Sequence, residues 1–242
     1  MERLFESREA VGFFVGFVSL IAVLSPFYIF LPIIALLSYA IAQEVSKALK
    51  VNLYALSAPA VFFMACLHTG MGIILSAFLS LVKGYRSWKM EDFLKSFFIL
   101  VYAGILPSYL YILKSSNNYQ LLKILLLVWS VDITSYYVGR RIGKHPFFPE
   151  LSPKKTWEGF LGGALMGVAL FSFLSDFSIF KSLMYGTLLV LCAVSGDLFK
   201  SFIKRQAGIK DFSSALGQHG GFTDRFDSLL FTAPVYSAIL GL

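Results

Sequence analysis

The chain is a succession of apolar stretches, and no other feature so narrows the folds open to it. They run over about residues 10–25, 27–45, 52–67, 70–83, 93–113, 121–139, 157–175, 179–200 and 226–242, parted by Pro26, by His68-Thr69 and by polar loops. A bilayer core of roughly 30 Å takes about 20 mostly apolar residues as a helix, and within it the backbone must satisfy its own hydrogen bonds. Only 14% of the residues are charged, against about a quarter in a soluble domain. The expected fold is therefore all-α: a polytopic integral membrane protein with about nine transmembrane helices.

The cations orient those helices, because Lys and Arg collect in cytoplasmic loops. With the N-terminus inside, the cytoplasmic side receives Arg3, Arg8, Lys47, Lys50, Lys83, Arg86, Lys89, Lys95, Arg140, Arg141, Lys144, Lys154, Lys155, Lys200, Lys204, Arg205, Lys210 and Arg225. The other side keeps Lys114, Lys123 and Lys181, a split of eighteen to three. This places the N-terminus in the cytoplasm and the C-terminus outside. The same bias accounts for the net charge of +7, so no nucleic-acid partner is called for. The apolar stretch after Glu9 lacks a small-residue cleavage site and is expected to remain as the first helix. Cys66 and Cys192 lie in apolar stretches and read as small core residues.

Polarity is unevenly spread. Residues 1–120 are almost uninterrupted hydrophobic helix, whereas 121–242 holds two polar regions, with cytoplasmic loops at 140–156 and 201–223. The second region runs Ser201-Phe-Ile-Lys-Arg-Gln-Ala-Gly-Ile-Lys-Asp-Phe-Ser-Ser-Ala-Leu-Gly-Gln-His-Gly-Gly-Phe-Thr-Asp-Arg-Phe-Asp227. Lys204, Arg205 and Lys210 supply positive charge for a polyphosphate, and Gly220-Gly221 let backbone amides approach an anion closely. Asp224 and Asp227, three apart at a helix start, share a face and can share a hard cation. Asp197, at the cytoplasmic end of the eighth stretch, is a third acid in a setting where acids usually mark a site. Three such carboxylates beside cations suit magnesium-assisted chemistry on a nucleoside triphosphate. The bland alternative is equally open on spacing: Asp224 as a helix cap with Asp227 in the first turn, and His219 as an ordinary turn histidine.

The first polar region contains Asp132-Ile-Thr-Ser-Tyr-Tyr-Val-Gly-Arg140, then Gly143-Lys144, then Leu151-Ser-Pro-Lys-Lys-Thr-Trp-Glu-Gly159. Ser152, Lys154, Lys155 and Thr156 make a cationic, hydroxyl-rich loop entering a helix, where phosphate would meet the positive helix end. A capped helix with snorkelling lysines is the alternative. Asp132 is either an acceptor for a neighbouring helix or a supporting part of the site. Gly139-Arg-Arg-Ile-Gly143-Lys144-His145 has the outline of a P-loop, but lacks four residues between the glycines and a hydroxyl after the lysine. Gly159, Gly163 and Gly167 form a small-residue face that serves contact between chains or packing within one.

Both polar regions resemble the CDP-diacylglycerol synthase (phosphatidate cytidylyltransferase) family. The similarity is strong over about 130–227, and 201–227 follows the family signature throughout. The resemblance implies transfer of the cytidylyl group of CTP to phosphatidate, at the cytoplasmic face of the inner membrane, as a step of phospholipid biosynthesis. It implies Mg2+, with a second cation such as K+, held by Asp197, Asp224 and Asp227, with Lys204 beside them in the catalytic set. Lys144, Ser152, Lys154, Lys155, Thr156, Ser201, Arg205, Lys210, His219, Arg225 and Asp132 would contact CTP or the lipid phosphate. A homodimer is also implied. The competing readings are a relative acting on another lipid phosphate, a CTP-dependent polyprenol kinase, and an anion transporter whose basic loops gather solute.

Overall fold

A computed structural model describes residues 8–215 and 220–242. Among these, every regular element is helical: α1 (Arg8–Leu24), α2 (Phe27–Leu49), α3 (Ser57–Leu67), α4 (Thr69–Ser87), α5 (Met90–Ser116), α6 (Asn118–Ile142), α7 (Trp157–Leu174), α8 (Ile179–Ala207) and α9 (Thr223–Leu240). These nine rods of the described residues correspond to the nine apolar stretches. Five of them, α2, α5, α6, α7 and α8, are long and apolar enough to cross a bilayer. The 11 residues of α3 are too few for a bilayer core, and α9 opens on two acids and an arginine. The chain is thus an all-helical protein with several apolar helices of membrane-spanning length.

Local chemistry accounts for the breaks. Pro26 precedes α2 with an extended ψ of 154° and supplies no amide hydrogen. The His68 ring accepts a hydrogen bond from the Gly70 amide at 3.1 Å and so caps α4, separating it from α3. Inside α5, Pro107 cannot donate to the carbonyl one turn back. The preceding Val101–Ile105 turn widens to π geometry, with the Leu106 amide reaching Val101 O.

The helices form two compact units. The first holds the chain up to Asn118 together with Ala207–Phe226. Its core is built from Phe30, Ile34, Ile41 and Val45 of α2, Val61 and Phe62 of α3, and Ile99, Leu100 and Tyr102 of α5, all buried. Lys114, buried at the end of α5, donates to Val23 O at 2.5 Å and Ser25 O at 2.8 Å and lies over the Phe30 ring. It thereby satisfies carbonyls that the end of α1 leaves open.

The second unit holds Tyr119–Gln206 and Asp227–Leu242. Gly159, Gly163 and Gly167 are all buried, facing Val131 and Ser135 of α6. A Cβ on Gly159 would fall 2.7 Å from Ser135 O, and one on Gly163 the same distance from Val131 O. The small-residue face is therefore spent on helix packing within the chain. At the far end of the unit, Lys123 pairs with Asp176 at 2.9 Å and Tyr236 donates to Gln120 at 2.5 Å.

Candidate active site

In the second unit, acids and cations gather where α8, α9 and the loop before α7 meet. The loop between α6 and α7 is closed by the Phe147 amide on Lys155 O at 2.8 Å and the Trp157 amide on His145 O at 2.9 Å. Glu158 accepts from the Lys144 amide at 3.1 Å and lies 2.6 Å from the His145 ring, while Phe147 stacks on Phe160 with ring centroids 5.0 Å apart. Thr156 caps α7, its hydroxyl accepting from the Gly159 amide at 3.2 Å. A loop pinned at both ends holds Lys155 in one place, and its ammonium pairs with Asp197 of α8.

The other oxygen of Asp197 lies 2.8 Å from Lys200 Nζ, and Lys200 in turn lies 2.9 Å from Asp227 Oδ2 on α9. Lys200 and Asp227 are buried. The result is a chain of alternating charge, Lys155, Asp197, Lys200 and Asp227, contributed by three elements. A Cβ on Gly196 would lie 2.6 Å from Asp227 O, so glycine is what lets the backbones of α8 and α9 touch here. Asp197, Lys200, Ser201 and Lys204 follow at helical spacing along one face of α8. The Ser201 hydroxyl is held by its own helix, on Asp197 O at 2.9 Å. Arg205 donates to Leu151 O at 3.3 Å and so ties α8 to the lysine loop, through the residue before Ser152.

The Lys155 ammonium is pushed down to about 8 from the ordinary lysine value, first by burial and then by the positive charge of Lys200, with Lys204 adding to it. Asp227 and Asp132 act the other way, in favour of the charged form. Asp132 is exposed on α6, and Lys144 and Lys154 are exposed as well.

The first unit contains a second set of acids. Asp224 is buried in the first turn of α9, and its Oδ2 accepts from the Gly221 amide at 3.0 Å and the Phe212 amide at 3.1 Å. Glu44 of α2, also buried, accepts from the Phe222 amide at 2.9 Å, the Thr223 amide at 2.7 Å and the Ser213 hydroxyl at 2.6 Å. The anion that Gly220-Gly221 approach is thus a side chain of the protein itself. Lys210 and Arg225 are exposed, and His219 lies outside the described residues.

Among the described residues no three acids, histidines or cysteines gather as a metal site. Asp197 and Asp227 nevertheless fit a hard cation. Carboxylate oxygens from two helices converge on one ammonium, and among the described residues the buried Asp227 Oδ2 has the Lys200 ammonium beside it at 2.9 Å and no well-aligned hydrogen-bond donor. Oxygen donors of this kind are what magnesium prefers.

Two residues central to this geometry escape a reading by motif. Lys200 sits three positions after Asp197 in an apolar helix, and Glu44 is an acid in an apolar helix. The cost of burying charge in a membrane helix is the available signal for both.

Comparison with known proteins agrees with the signature. The model of the cytidylyltransferase family matches residues 6–242. A phosphatidate cytidylyltransferase of Aquifex aeolicus is 43% identical over 234 residues, covering 97% of this chain and 90% of that protein. Those of Staphylococcus haemolyticus and Staphylococcus saprophyticus are 35% and 34% identical, each covering 69% of this chain and 68% of the relative. With the match running almost from end to end, the chain belongs to the cytidylyltransferase family.

Proposed function

We propose that the protein transfers the cytidylyl group of CTP to phosphatidate, giving CDP-diacylglycerol and pyrophosphate. The observation that carries this reading is the array of Lys155, Asp197, Lys200 and Asp227 in a chain of this family. A phosphate oxygen of phosphatidate attacks the α-phosphorus of CTP. The bond from that phosphorus to the bridging oxygen breaks, and pyrophosphate leaves with the electron pair. The attacking oxygen is already anionic, so no strong protein base is needed, and positioning and charge neutralisation suffice.

Lys155, Lys200 and Lys204 supply positive charge to the phosphates, with Arg205 fixing the loop that carries Lys155. Asp197 and Asp227 would hold Mg2+, with a second cation such as K+ in the same polar region. Bound there, magnesium would neutralise charge on the triphosphate. Asp224, the third expected ligand, is engaged by loop amides and serves the start of α9. An apolar groove of about 420 Å³ lined by α7 and α8 residues, including Phe160, Leu165, Leu183 and Leu191, suits an acyl chain arriving from the bilayer.

The cation asymmetry supports a cytoplasmic N-terminus and a site facing the cytoplasm; nine spans with the C-terminus outside require the 11-residue α3 to count as a crossing, and the inner membrane is proposed on the family resemblance alone. A reporter after Leu242 that is active in the cytoplasm would overturn this count. A homodimer is proposed on the family resemblance alone, since the glycine face is used within the chain; light scattering that finds only monomer in mild detergent removes it.

Purified protein supplied with CTP labelled at the α-phosphate, Mg2+ and separate lipids tests the reaction. Label should pass to phosphatidate. Label from γ-labelled CTP passing to a polyprenol would make the protein a kinase, and α-label passing only to an isoprenoid ether lipid phosphate would change the acceptor.

A further inference from the structure

We infer that Glu44 is a positioning residue for the reaction proposed above, its carboxylate fixing the Gly220-Gly221 turn and the first turn of α9, where Asp224 stands. The inference rests on that reaction for its consequence, but on geometry for its substance. Glu44 is 6% exposed, in a helix apolar enough to span a membrane. A lone charge there is costly unless strong partners compensate it. Three do: the Phe222 and Thr223 amides and the Ser213 hydroxyl, all from the stretch that carries the family signature.

The first amides of a helix lack partners inside it and form its positive end. Here two carboxylates take the Thr223 amide, the first of α9, and the two amides that lead into it. Asp224 takes Gly221, and Glu44 takes Phe222 and Thr223. No Cβ fits at Gly221, since it would lie 2.6 Å from Glu44 Oε2, and Gly220 has a φ of +76°. Gly221 therefore serves the approach to Glu44, and Gly220 the approach to Asp224, whose Oδ2 a Cβ there would meet at 2.6 Å. Since these three amides are already engaged, they are not the groups that meet the phosphates of CTP. Glu44 acts through the first turn of α9, the helix that also carries Asp227, without touching a substrate.

The test uses the full chain in detergent micelles, first without CTP or metal. Amide hydrogen exchange at Gly221–Thr223 is compared between wild type, Glu44→Gln, Glu44→Asp and Gly221→Ala. Loss of one charge-assisted hydrogen bond corresponds to about ten- to hundredfold faster exchange, and each variant should show at least the lower figure. Per folded molecule, kcat should fall in Glu44→Gln while KM for CTP stays within about twofold, because the amides do not hold substrate. In a Glu44→Ala background, Gly221→Ala should add nothing further, since its clash partner is gone. Exchange at 221–223 unchanged in Glu44→Gln, or effects of Glu44→Ala and Gly221→Ala that simply add, overturns the inference. Should Glu44→Gln fail to fold, Glu44→Asp and Gly221→Ala decide by the same readout. Wild type without CTP turnover would sink the proposed reaction instead, and leave the exchange comparison to judge Glu44.

Discussion

Each of the two units holds a pair of acids, all buried except the half-buried Asp197, and they treat them differently. In the first, Glu44 and Asp224 face backbone amides and a hydroxyl. In the second, Asp197 and Asp227 face the ammonium groups of Lys155 and Lys200. Amides belong to the fold and cannot leave, so carboxylates bound to them act as fixed struts. Ammonium groups sit on flexible stems and can turn from a carboxylate to a phosphate, leaving oxygen ligands for a metal ion. Burial alone therefore does not mark a catalytic acid. The partner does.

The largest effect should come from removing the cation that two acids share. Lys200→Met leaves Asp197 and Asp227 facing each other's charge with one counter-ion fewer, and Asp227 is 4% exposed. Breaking a buried pair from one side costs about 3–5 kcal/mol. Denaturant or thermal unfolding in detergent should show a loss of that order. A stability change under about 1 kcal/mol would mean that the ammonium is not the partner that makes these acids tolerable, and the contrast between the units would fail.

A second effect follows from Lys155, whose ammonium is pushed down to about 8. The folded protein binds this proton less tightly than the unfolded chain does. Between about 8 and the ordinary lysine value of 10.5 the unfolded chain thus holds more protons, and this group makes stability rise with pH. Activity should move the other way. As pH climbs through about 8, Lys155 loses the charge that meets phosphate, and kcat/KM falls by up to about tenfold per unit. Lys155→Arg should move that limb upward, because a guanidinium stays charged. A limb that does not move in this variant would assign it to another group.

The smallest effect is expected at Asp224. Asp224→Asn keeps an acceptor oxygen for the Gly221 or Phe212 amide, so it should cost about 1–2 kcal/mol of stability and leave measurable turnover. The same change at Asp197 acts on a carboxylate bound by two ammoniums, and should cost far more activity. Equal losses at both positions would place Asp224 with the acids proposed to hold Mg2+.

Hydrophobic periodicity and its punctuation make the helices legible in the sequence itself. The breaks at Pro26 and His68 rest on local chemistry, and Thr156 opens α7 where its loop ends. The π turn in α5 is less visible, because Pro107 fixes that a disturbance occurs but not which form it takes. At the site, the cost of an acid in an apolar helix points to Asp197, the signature to Asp227 and the first polar region to Lys155, and the second unit brings the three together. It cannot point to Glu44, whose partners lie 169 to 179 positions along the chain. Spacing within a helix brings i and i+3 together, whereas only the tertiary fold carries α2 to the signature loop. Spacing also leaves Asp224 and Asp227 alike, although one reaches back to amides and the other across to Lys200.

That the acids held by ammonium groups form the reaction centre is tested most directly by Asp227→Asn. Wild type and variant would be purified in the same detergent, matched by melting temperature, and supplied with α-labelled CTP, Mg2+ and phosphatidate. Wild type should form labelled CDP-diacylglycerol with release of pyrophosphate. The variant should be at least about a thousandfold slower, roughly 4 kcal/mol of transition-state stabilisation. An Asp227→Asn protein that forms the liponucleotide within a few-fold of the wild-type rate at ordinary Mg2+ would contradict that assignment.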